Sequence, residues 1–247
     1  MDESGAERLI HTYGRRRGRR LRESQRTLLE TLLPQVAIVG SSEPLDPRTL
    51  FGPETDQVWL EIGFGGGEHL AAQAAAHPNV GVVGCEPFVN GVVSLLGQIK
   101  ARQLGNVRIW PSDARALIAR FPDASIARAF ILFPDPWPKS RHHKRRLIAP
   151  LFLDALARVL TPGAELRVAT DDADYLAWSL ERLTAHNKFR WCARSAADWR
   201  VRPADWPPTR YEQKAVAAGR RPAYLRFMRV PAEAAASGRA PAAENVA

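Results

Sequence analysis

Residues 58–70, VWLEIGFGGGEHL, join a short apolar run to a cluster of glycines and to the first residues of a helical pattern. The apolar run predicts a buried strand, and the residues from 67 onward predict a helix. Gly63, Gly65 and Gly67 allow a tight turn and a close approach of the backbone to a ligand. This stretch therefore predicts a strand–turn–helix unit, the repeating unit of an α/β fold, with a ligand at its turn.

Apolar runs and helical patterns alternate along the chain to about residue 186. The predicted strands are 58–64, 80–86, 107–113, 127–133 and 165–171. The predicted helices are 67–77, 88–103, 114–120, 144–160 and 172–186. Residues 189–195 and 223–230 predict two closing strands in an antiparallel hairpin with a long insertion. The fold class that follows is α/β: a Rossmann-like, mostly parallel twisted sheet with helices on both faces and an antiparallel closing strand.

The two ends of the chain differ in composition from this α/β region. Residues 14–22, GRRRGRRLR, hold six arginines in nine positions, and like charges at this density repel and resist packing. We predict a basic flexible arm with a short helix over 1–35, one α/β domain over 36–230 and a disordered tail over 231–247.

The balance of charge is strongly basic, with a net charge of +9 and a pI of about 10.2. This balance favours a polyanionic partner, most simply a nucleic acid. An anionic membrane surface is one alternative, and an arginine-rich composition without a partner is another. Because the positive charge is clustered, we prefer the nucleic acid.

The composition of the chain also indicates the cellular compartment of the protein. The longest apolar runs, such as AFILF at 129–133, are too short to span a bilayer. The N-terminus lacks the apolar segment of a secretory signal, and Cys85 and Cys192 have neither disulfide-framework nor zinc spacing. These features predict a cytoplasmic protein with reduced thiols. With a nucleic acid preferred as the partner, we expect no membrane partner, and no obligatory protein partner is evident in the sequence.

Three carboxylates surround the predicted ligand site. Glu61 precedes the glycine turn, Glu86 ends the second strand and Asp113 ends the third. Ligands of open α/β sheets bind at the carboxyl ends of the strands, where an acid after the second strand commonly holds ribose hydroxyls. That position suits NAD and S-adenosylmethionine alike, but the dinucleotide pattern G-x-G-x-x-G fails at Glu68.

The carboxylate of Glu61 discriminates between these two cofactors. It would repel a pyrophosphate at the turn, whereas S-adenosylmethionine has no phosphate and carries an ammonium and a sulfonium. The pattern is typical of class I methyltransferases. Glu61 as a capping or solvated acid, and Asp113 as an ordinary helix N-cap, remain the structural alternatives.

The stretch FPDPWPKSRHHKRRL, residues 133–147, follows the fourth strand. Asp135 therefore lies on the ligand-binding edge of the sheet, and Pro134 and Pro136 restrict the backbone on either side of it. Five Lys and Arg residues follow within 139–146. A solvated face is the usual reading of such a run, but its closeness to Asp135 favours contact with phosphates.

The sequence resembles the bacterial tRNA (guanine-N7)-methyltransferases, a class I family that uses S-adenosylmethionine. The stretches that carry this resemblance span about residues 13–228 in the order of the family: YGRRRGRRL, LEIGFGGGEHL, FPDPWPKSRHHKRRL, ATDDADYLAW and TRYEQKA. FPDPWPK with its basic run is the most specific of them. The continuation after ATD and the middle of GCEPFVNGV depart from the family pattern.

The resemblance implies methylation of N7 of a guanine in the variable loop of tRNA, with S-adenosylmethionine as the donor. It implies a catalytic role for Asp135. The implied cofactor residues are Glu61, Gly63, Gly65, Gly67, Glu86, Asp113 and Asp135. The implied substrate residues are Lys139, Asp171, Thr209, Arg210, Tyr211 and Glu212. The residues expected to face RNA are Arg141, His142, His143, Lys144, Arg145 and Arg146.

The chemistry of guanine constrains the mechanism. N7 carries a lone pair and no proton, so its attack on the sulfonium methyl needs no general base. We expect Asp135 to act by orientation and charge, and we expect Asp171 or Glu212 to share in holding the guanine. Thr209 and Glu212 also have the spacing of a helix capping box, which is a structural alternative for both.

Three further points complete the expectations. His142 and His143 lack a third ligand at suitable spacing, so no metal site is predicted. Trp137, Trp199 and Trp206 are candidates for stacking on bases, with burial as their more ordinary role. Another class I methyltransferase and a non-catalytic RNA-binding protein remain the competing functions.

Overall fold

A computed structural model describes residue 14 and residues 16–231 of the chain. These residues form a seven-stranded sheet in the order β3-β2-β1-β4-β5-β7-β6. The strands are β1 Gln57–Ile62, β2 Val80–Cys85, β3 Val107–Trp110, β4 Ile126–Leu132, β5 Leu160–Thr170, β6 Phe189–Trp191 and β7 Ala223–Arg229. Strands β1 to β5 are parallel, and β7 pairs antiparallel with both β5 and β6. The predicted fold class is therefore confirmed, including the antiparallel closing strand.

Helices occupy both faces of the sheet. They are α1 Glu23–Thr31, α2 Leu33–Val36, α3 Glu68–Ala76, α4 Val89–Arg102, α5 Ala114–Ile118, α6 Pro150–Val159, α7 Ala173–Ala185, α8 Ala197–Arg200 and α9 Arg210–Ala217. Within the described part of the chain, none of these helices is long and apolar enough to cross a membrane.

Alternation along the strands builds two separate cores. Leu60 of β1 packs on the face that carries α5, α6 and α7, whereas its neighbour Trp59 packs on the face that carries α1 to α4. Because side chains of a strand point alternately to opposite faces, Glu61 shares the face of Trp59. Strand β1 has β2 on one side and β4 on the other, so the order of the strands reverses at its carboxyl end. Such a switch point opens a crevice for a ligand.

Two predicted boundaries are wrong. The helix predicted over 144–160 begins at Pro150, and a 3₁₀ turn occupies Ser140–Arg145 instead. A proline fits the first turn of a helix, where its missing N–H leaves no hydrogen bond unmade.

Strand β5 begins at Leu160, five residues before its predicted start, and a register shift lies between Ile126 and Arg128 of its partner β4. The apolar pattern missed this part because Pro162 and Gly163 interrupt it.

Part of the predicted arm is attached to the start of α4. Val89 N donates to Arg16 O over 3.0 Å, Gly18 N donates to Asn90 Oδ1 over 2.8 Å, and Asn90 Nδ2 donates to Arg19 O over 2.9 Å. The predicted short helix corresponds to α1. The remainder of the arm, residues 1–13 and 15, and residues 232–247 of the predicted tail lie outside the described residues.

Candidate active site

A cavity of about 370 Å³ opens at the carboxyl ends of β1 to β4. This is the size of a small-molecule site and the position expected of one in an open α/β sheet. The predicted site residues in its wall are Gly63, Gly65, Glu86, Asp113, Asp135, Arg145 and Tyr211. The cavity thus brings together residues from four strand ends and from the distant segment at 211.

The glycine turn has a backbone that other residues adopt only at a cost. Gly63, Gly65 and Gly67 have φ angles of 72°, 56° and 78°. A Cβ on Gly65 would lie 2.7 Å from the ring of Tyr211, and one on Gly67 would lie 2.8 Å from Leu95. Glycine is therefore required at 65 and 67 both by conformation and by space. Gly67 forms the N-cap of α3 and does not itself line the cavity.

Helix α4 contacts the backbone of the glycine turn. Ser94 Oγ and Gln98 Nε2 each donate to Gly66 O over 2.8 Å. A Cβ on Gly91 would lie 2.2 Å from Gly65 O, so the helix approaches the turn backbone directly. The sequence analysis singled out none of these three α4 residues. Together they fix the position of the turn before any ligand binds.

Glu86 links the second strand to the glycine turn. Its Oε2 accepts from Gly65 N over 2.8 Å, and its Oε1 accepts from Phe88 N over 2.9 Å. Burial raises the pKa of Glu86, and these two backbone N–H groups oppose the rise. Each carboxylate oxygen keeps a second lone pair for a ligand hydroxyl. Glu86 therefore has the position and the acceptor capacity expected of it.

Asp113 caps a helix, which was the structural alternative for it, and its side chain also reaches the cavity. It lines the cavity, and as the N-cap of α5 its Oδ1 accepts from Arg115 N over 2.9 Å. The Arg115 side chain also donates to it, from Nε over 2.9 Å and from Nη2 over 2.7 Å. The capping prediction is confirmed, and the carboxylate stays on the wall of the cavity.

Glu61 has a different neighbour from the one expected. Its side chain is buried behind the wall of the cavity, and Oε2 lies 2.6 Å from His69 Nδ1 of α3. The prediction that Glu61 lines the cofactor site is not met by this geometry. The reason is the alternation of β1, which turns Glu61 toward the face that α3 covers.

Asp135 stands at the mouth of the cavity on a constrained segment. Phe133 and Trp137, on either side of Pro134 and Pro136, have φ angles of 52° and 47°. A left-handed backbone costs a non-glycine residue roughly 1–2 kcal/mol, so surrounding contacts must hold this segment. One such contact is Phe133 N, which donates to Ala169 O of β5 over 2.7 Å.

The carboxyl group of Asp135 is accessible but partly desolvated. The residue is exposed at the mouth, yet protein atoms around the carboxylate displace part of its water. This burial raises the pKa of Asp135 above the ordinary aspartate value. A perturbed carboxyl in a cavity is the usual property of a functional residue.

Arg146 does not face RNA, so this prediction is wrong. Its side chain is fully buried, and Nε donates to Pro136 O over 2.8 Å. The guanidinium also pairs with Asp174 and lies 4.8 Å from the ring centroid of Trp178 and 5.4 Å from that of Tyr175. Arg146 therefore joins the segment that carries Asp135 to helix α7.

The other members of the basic run are more accessible. Lys139, Arg141 and Lys144 are exposed, and Arg145 lies 4.9 Å from the ring centroid of Trp137 at the cavity wall. His142 packs edge-on against Trp137 at 5.9 Å. Desolvation and the surrounding cations lower the pKa of His142, so a neutral ring is favoured there.

His143 is partly buried against Trp178, with ring centroids 5.5 Å apart. The ring therefore contributes to the packing of the 3₁₀ turn on α7. Across residues 14 and 16–231, no group of three or more His, Cys, Asp or Glu side chains is arranged to hold a metal ion.

The segment TRYE divides into two buried and two exposed residues. Thr209 Oγ1 accepts from Glu212 N over 3.1 Å and caps α9, as predicted. Glu212 does not complete the capping box, because its Oε1 accepts from Tyr224 OH over 2.6 Å and lies 3.1 Å from Arg202 Nε. Arg210 and Tyr211 are exposed, and the Tyr211 ring lies over Gly65.

Asp171 and Trp206, which were also candidates for contact with the substrate or its bases, both make contacts within the protein. Asp171 follows β5, and its Oδ2 accepts from Arg220 Nε over 2.5 Å. Trp206, a stacking candidate, is buried against Tyr224 at a ring distance of 5.6 Å and is not available to a base.

Three buried polar residues were not predicted: His69 and Gln73 of α3, the helix that follows the glycine turn, and Arg167 of β5. A histidine and a glutamine four residues apart in an otherwise alanine-rich helix are the one signal that the sequence offers for this group. Such spacing places two side chains on one helix face.

Comparison with known proteins supplies the family. A family model described as "Putative methyltransferase" matches residues 55–224. A protein of Rhodospirillum rubrum is 53% identical over 239 residues, covering 94% of both chains, and one of Paramagnetospirillum magneticum is 51% identical over 220 residues, covering 88% of this chain and 92% of its own. Both are named tRNA (guanine-N(7)-)-methyltransferase.

A solved structure shares the fold. The crystal structure of the 16S rRNA methyltransferase KamB is 17% identical and superimposes with a TM-score of 0.50, covering 72% of this chain and 90% of that one. The extent and identity of the sequence matches show that this chain belongs to the family of tRNA (guanine-N7)-methyltransferases.

Proposed function

We propose that this chain transfers the methyl group of S-adenosylmethionine to N7 of a guanine in the variable loop of tRNA. The observation that carries the proposal is the place of Asp135. Its carboxylate is accessible at the border between the cavity at the strand ends and the exposed basic residues that follow it. A base delivered by a phosphate backbone on one side would meet a cofactor on the other.

The residues of the cavity fit S-adenosylmethionine. Glu86, Asp113 and Asp135 bring three carboxylates to the wall, and although Asp113 is paired with Arg115, their oxygens suit a cationic ligand and ribose hydroxyls. Apolar side chains such as Ile62 and Leu132 provide a surface for an adenine ring. When bound, this cofactor supplies an electrophilic methyl group on a sulfonium.

Asp135 works without accepting a proton from the reacting atom. Because guanine N7 has a free lone pair, the carboxylate is needed to orient the ring and to stabilise the positive charge that develops on it. It orients the ring where its oxygens accept hydrogen bonds from the guanine N1–H and exocyclic amine, and it stabilises the charge where they lie near the alkylated ring; either placement is consistent with the proposed role. The two prolines and the contacts of Phe133 and Arg146 hold it in place for this role.

The basic run positions the RNA. The exposed Lys139, Arg141 and Lys144 and the half-buried Arg145 contact phosphates, which gives affinity and orientation without sequence information. Asp171, Arg210 and Tyr211, which lie outside the basic run, contact the substrate nucleotide. We assign the reaction to the domain of 36–230 and the protein to the cytoplasm, where a tRNA substrate would be met.

The direct test uses bulk tRNA and S-adenosylmethionine labelled on the methyl group. We expect label in tRNA, and mapping of the modified nucleotide should find 7-methylguanine in the variable loop. Label at any other atom would overturn the proposal. Absence of cofactor binding in calorimetry would favour a non-catalytic RNA-binding protein instead.

A further inference from the structure

A chain of buried polar side chains runs from β1 through α3 to the segment before TRYE. Glu61 Oε2 lies 2.6 Å from His69 Nδ1, His69 Nε2 lies 3.3 Å from Gln73 Nε2, and Gln73 Nε2 donates to Asp205 O over 2.9 Å. Glu61, His69 and Gln73 are each at least 97% buried. Buried polar groups in such a chain are costly unless each is satisfied.

The hydrogen-bonding capacity of each of these groups shows which atom donates and which accepts. A carboxylate oxygen only accepts, so His69 Nδ1 carries the proton and donates to Glu61. His69 Nε2 then accepts one amide hydrogen of Gln73, and the other amide hydrogen of Gln73 goes to Asp205 O. Gln73 is therefore the central residue, and its NH₂ group bridges α3 and the segment at 205.

That segment has a second anchor on the sheet. The buried Arg167 of β5 donates from Nη2 to the side chain of Asp205, and its guanidinium lies 5.2 Å from the ring centroid of Trp206. Trp206 in turn packs on Tyr224 of β7. Gln73 holds the backbone of Asp205 while Arg167 holds its side chain, so residues 205–206 are fixed from two elements.

The anchored segment leads directly to the cavity. Three residues after Trp206, Thr209 caps α9, and Glu212 is held by Tyr224. Tyr211 lies between these two fixed positions and covers Gly65, with its Cε2 2.7 Å from the place of a Cβ. The position of Tyr211 over the glycine turn is thus set by the contacts on both sides of it.

We infer that Gln73 is a positioning residue: by tying Asp205 to α3, it sets Tyr211 over the glycine turn and so raises the affinity for the cofactor. The inference rests on the proposed cofactor site. It assigns Tyr211 to closure of that site, in addition to any contact with the substrate. A purely structural Gln73 would stabilise the fold without acting through Tyr211.

A double-mutant cycle on cofactor affinity separates these two roles. The variants are Gln73→Met, Tyr211→Ala and their combination, and calorimetry measures the Kd for S-adenosylmethionine in the full chain. Methionine keeps the approximate length of glutamine and removes both hydrogen bonds. We expect each single change to weaken binding roughly fivefold, which is the worth of one or two lost contacts.

The affinity of the combined variant distinguishes a role through Tyr211 from a purely structural role. If Gln73 acts through Tyr211, the combined variant binds no more weakly than Tyr211→Ala, because the contact that Gln73 positions is already gone. Multiplicative losses, or an unchanged Kd in Gln73→Met, would overturn the inference. If the wild-type chain binds no S-adenosylmethionine, the proposed function fails instead, so the two failures are distinguishable.

A matched control is available on α2. Gln35 Nε2 donates to Thr31 O over 2.7 Å at an exposed site that does not line the cavity. Gln35→Met should leave the Kd unchanged. If Gln73→Met does not fold, as judged by its thermal unfolding, Gln73→Asn replaces it in the cycle, because the shorter amide cannot reach both partners.

Discussion

Arg146 Nε donates to the carbonyl oxygen of Pro136 over 2.8 Å, so a buried guanidinium holds the residue that directly follows Asp135. The same guanidinium lies against Trp178 of α7. The basic run after β4 therefore has an exposed part that is available to RNA and an inner residue that supports the site.

Arg146→Met should lower the free energy of unfolding by about 2–3 kcal/mol. The Pro136 carbonyl loses its donor, and the packing of the guanidinium on Trp178 is lost. Denaturation in urea measures the change. Arg141→Met is the matched control, and as an exposed residue it should change stability by less than about 0.5 kcal/mol. Equal stabilities of the two variants would contradict a structural role for Arg146.

The exposed cations should determine the salt dependence of tRNA binding. Changing Arg141 and Lys144 together to glutamine should weaken binding and reduce the log–log slope of affinity against salt by roughly 1–2 units, because about two phosphate contacts are lost. Filter binding over a series of salt concentrations measures the slope. A slope equal to that of the wild type would show that these residues face solvent only.

Asp135→Asn should lose methylation by roughly 10²–10³-fold, because a preorganised charge beside the reacting base is removed. Folding should be unaffected or improved near neutral pH. The pKa of Asp135 is raised in the folded state, so ionisation costs stability as pH rises above the ordinary aspartate range. A near wild-type rate for both Asp135→Asn and Asp135→Ala would exclude the proposed role.

The raised pKa of Asp135 also predicts how the rate of methylation depends on pH. Because the ionised carboxylate is the acceptor, activity should fall on acidification, and it should fall at a higher pH than an ordinary aspartate would give. The ratio kcat/KM across the acidic range, with folding checked by circular dichroism, measures this, because it reports the pKa of the free enzyme. An acidic limb at the ordinary aspartate value would contradict the raised pKa.

Gly65→Ala should weaken cofactor binding by more than the roughly fivefold loss expected of Tyr211→Ala, because backbone strain of about 1–2 kcal/mol adds to displacement of the tyrosine ring. The φ of 56° strains any L side chain, and the new Cβ would lie 2.7 Å from Tyr211. Gly97→Ala is the control within α4, where φ is ordinary and no heavy atom lies within 4 Å of the added Cβ. That change should raise the free energy of unfolding by roughly 0.5–1 kcal/mol. Calorimetry and urea denaturation check the two outcomes.

Much of this protein follows from its sequence, because the deciding features are local. The alternation of short apolar runs with helical patterns predicted the parallel sheet, and the prolines and glycines predicted the turns. Parallel strands bring their carboxyl ends to one edge, so Glu86, Asp113 and Asp135 were expected together and line one cavity. The cap at Thr209 also followed from residue type and spacing.

Tertiary structure decided which polar side chains face the cavity and which support it. Glu61 and Arg146 have the charges expected of site residues, but α3 and α7 cover them and keep them out of the cavity once the sheet and helices have packed. The bond between Gln73 and Asp205 joins residues 132 positions apart. No local pattern encodes such a contact, because it exists only once the sheet and its helices have packed and left these groups no water to bond.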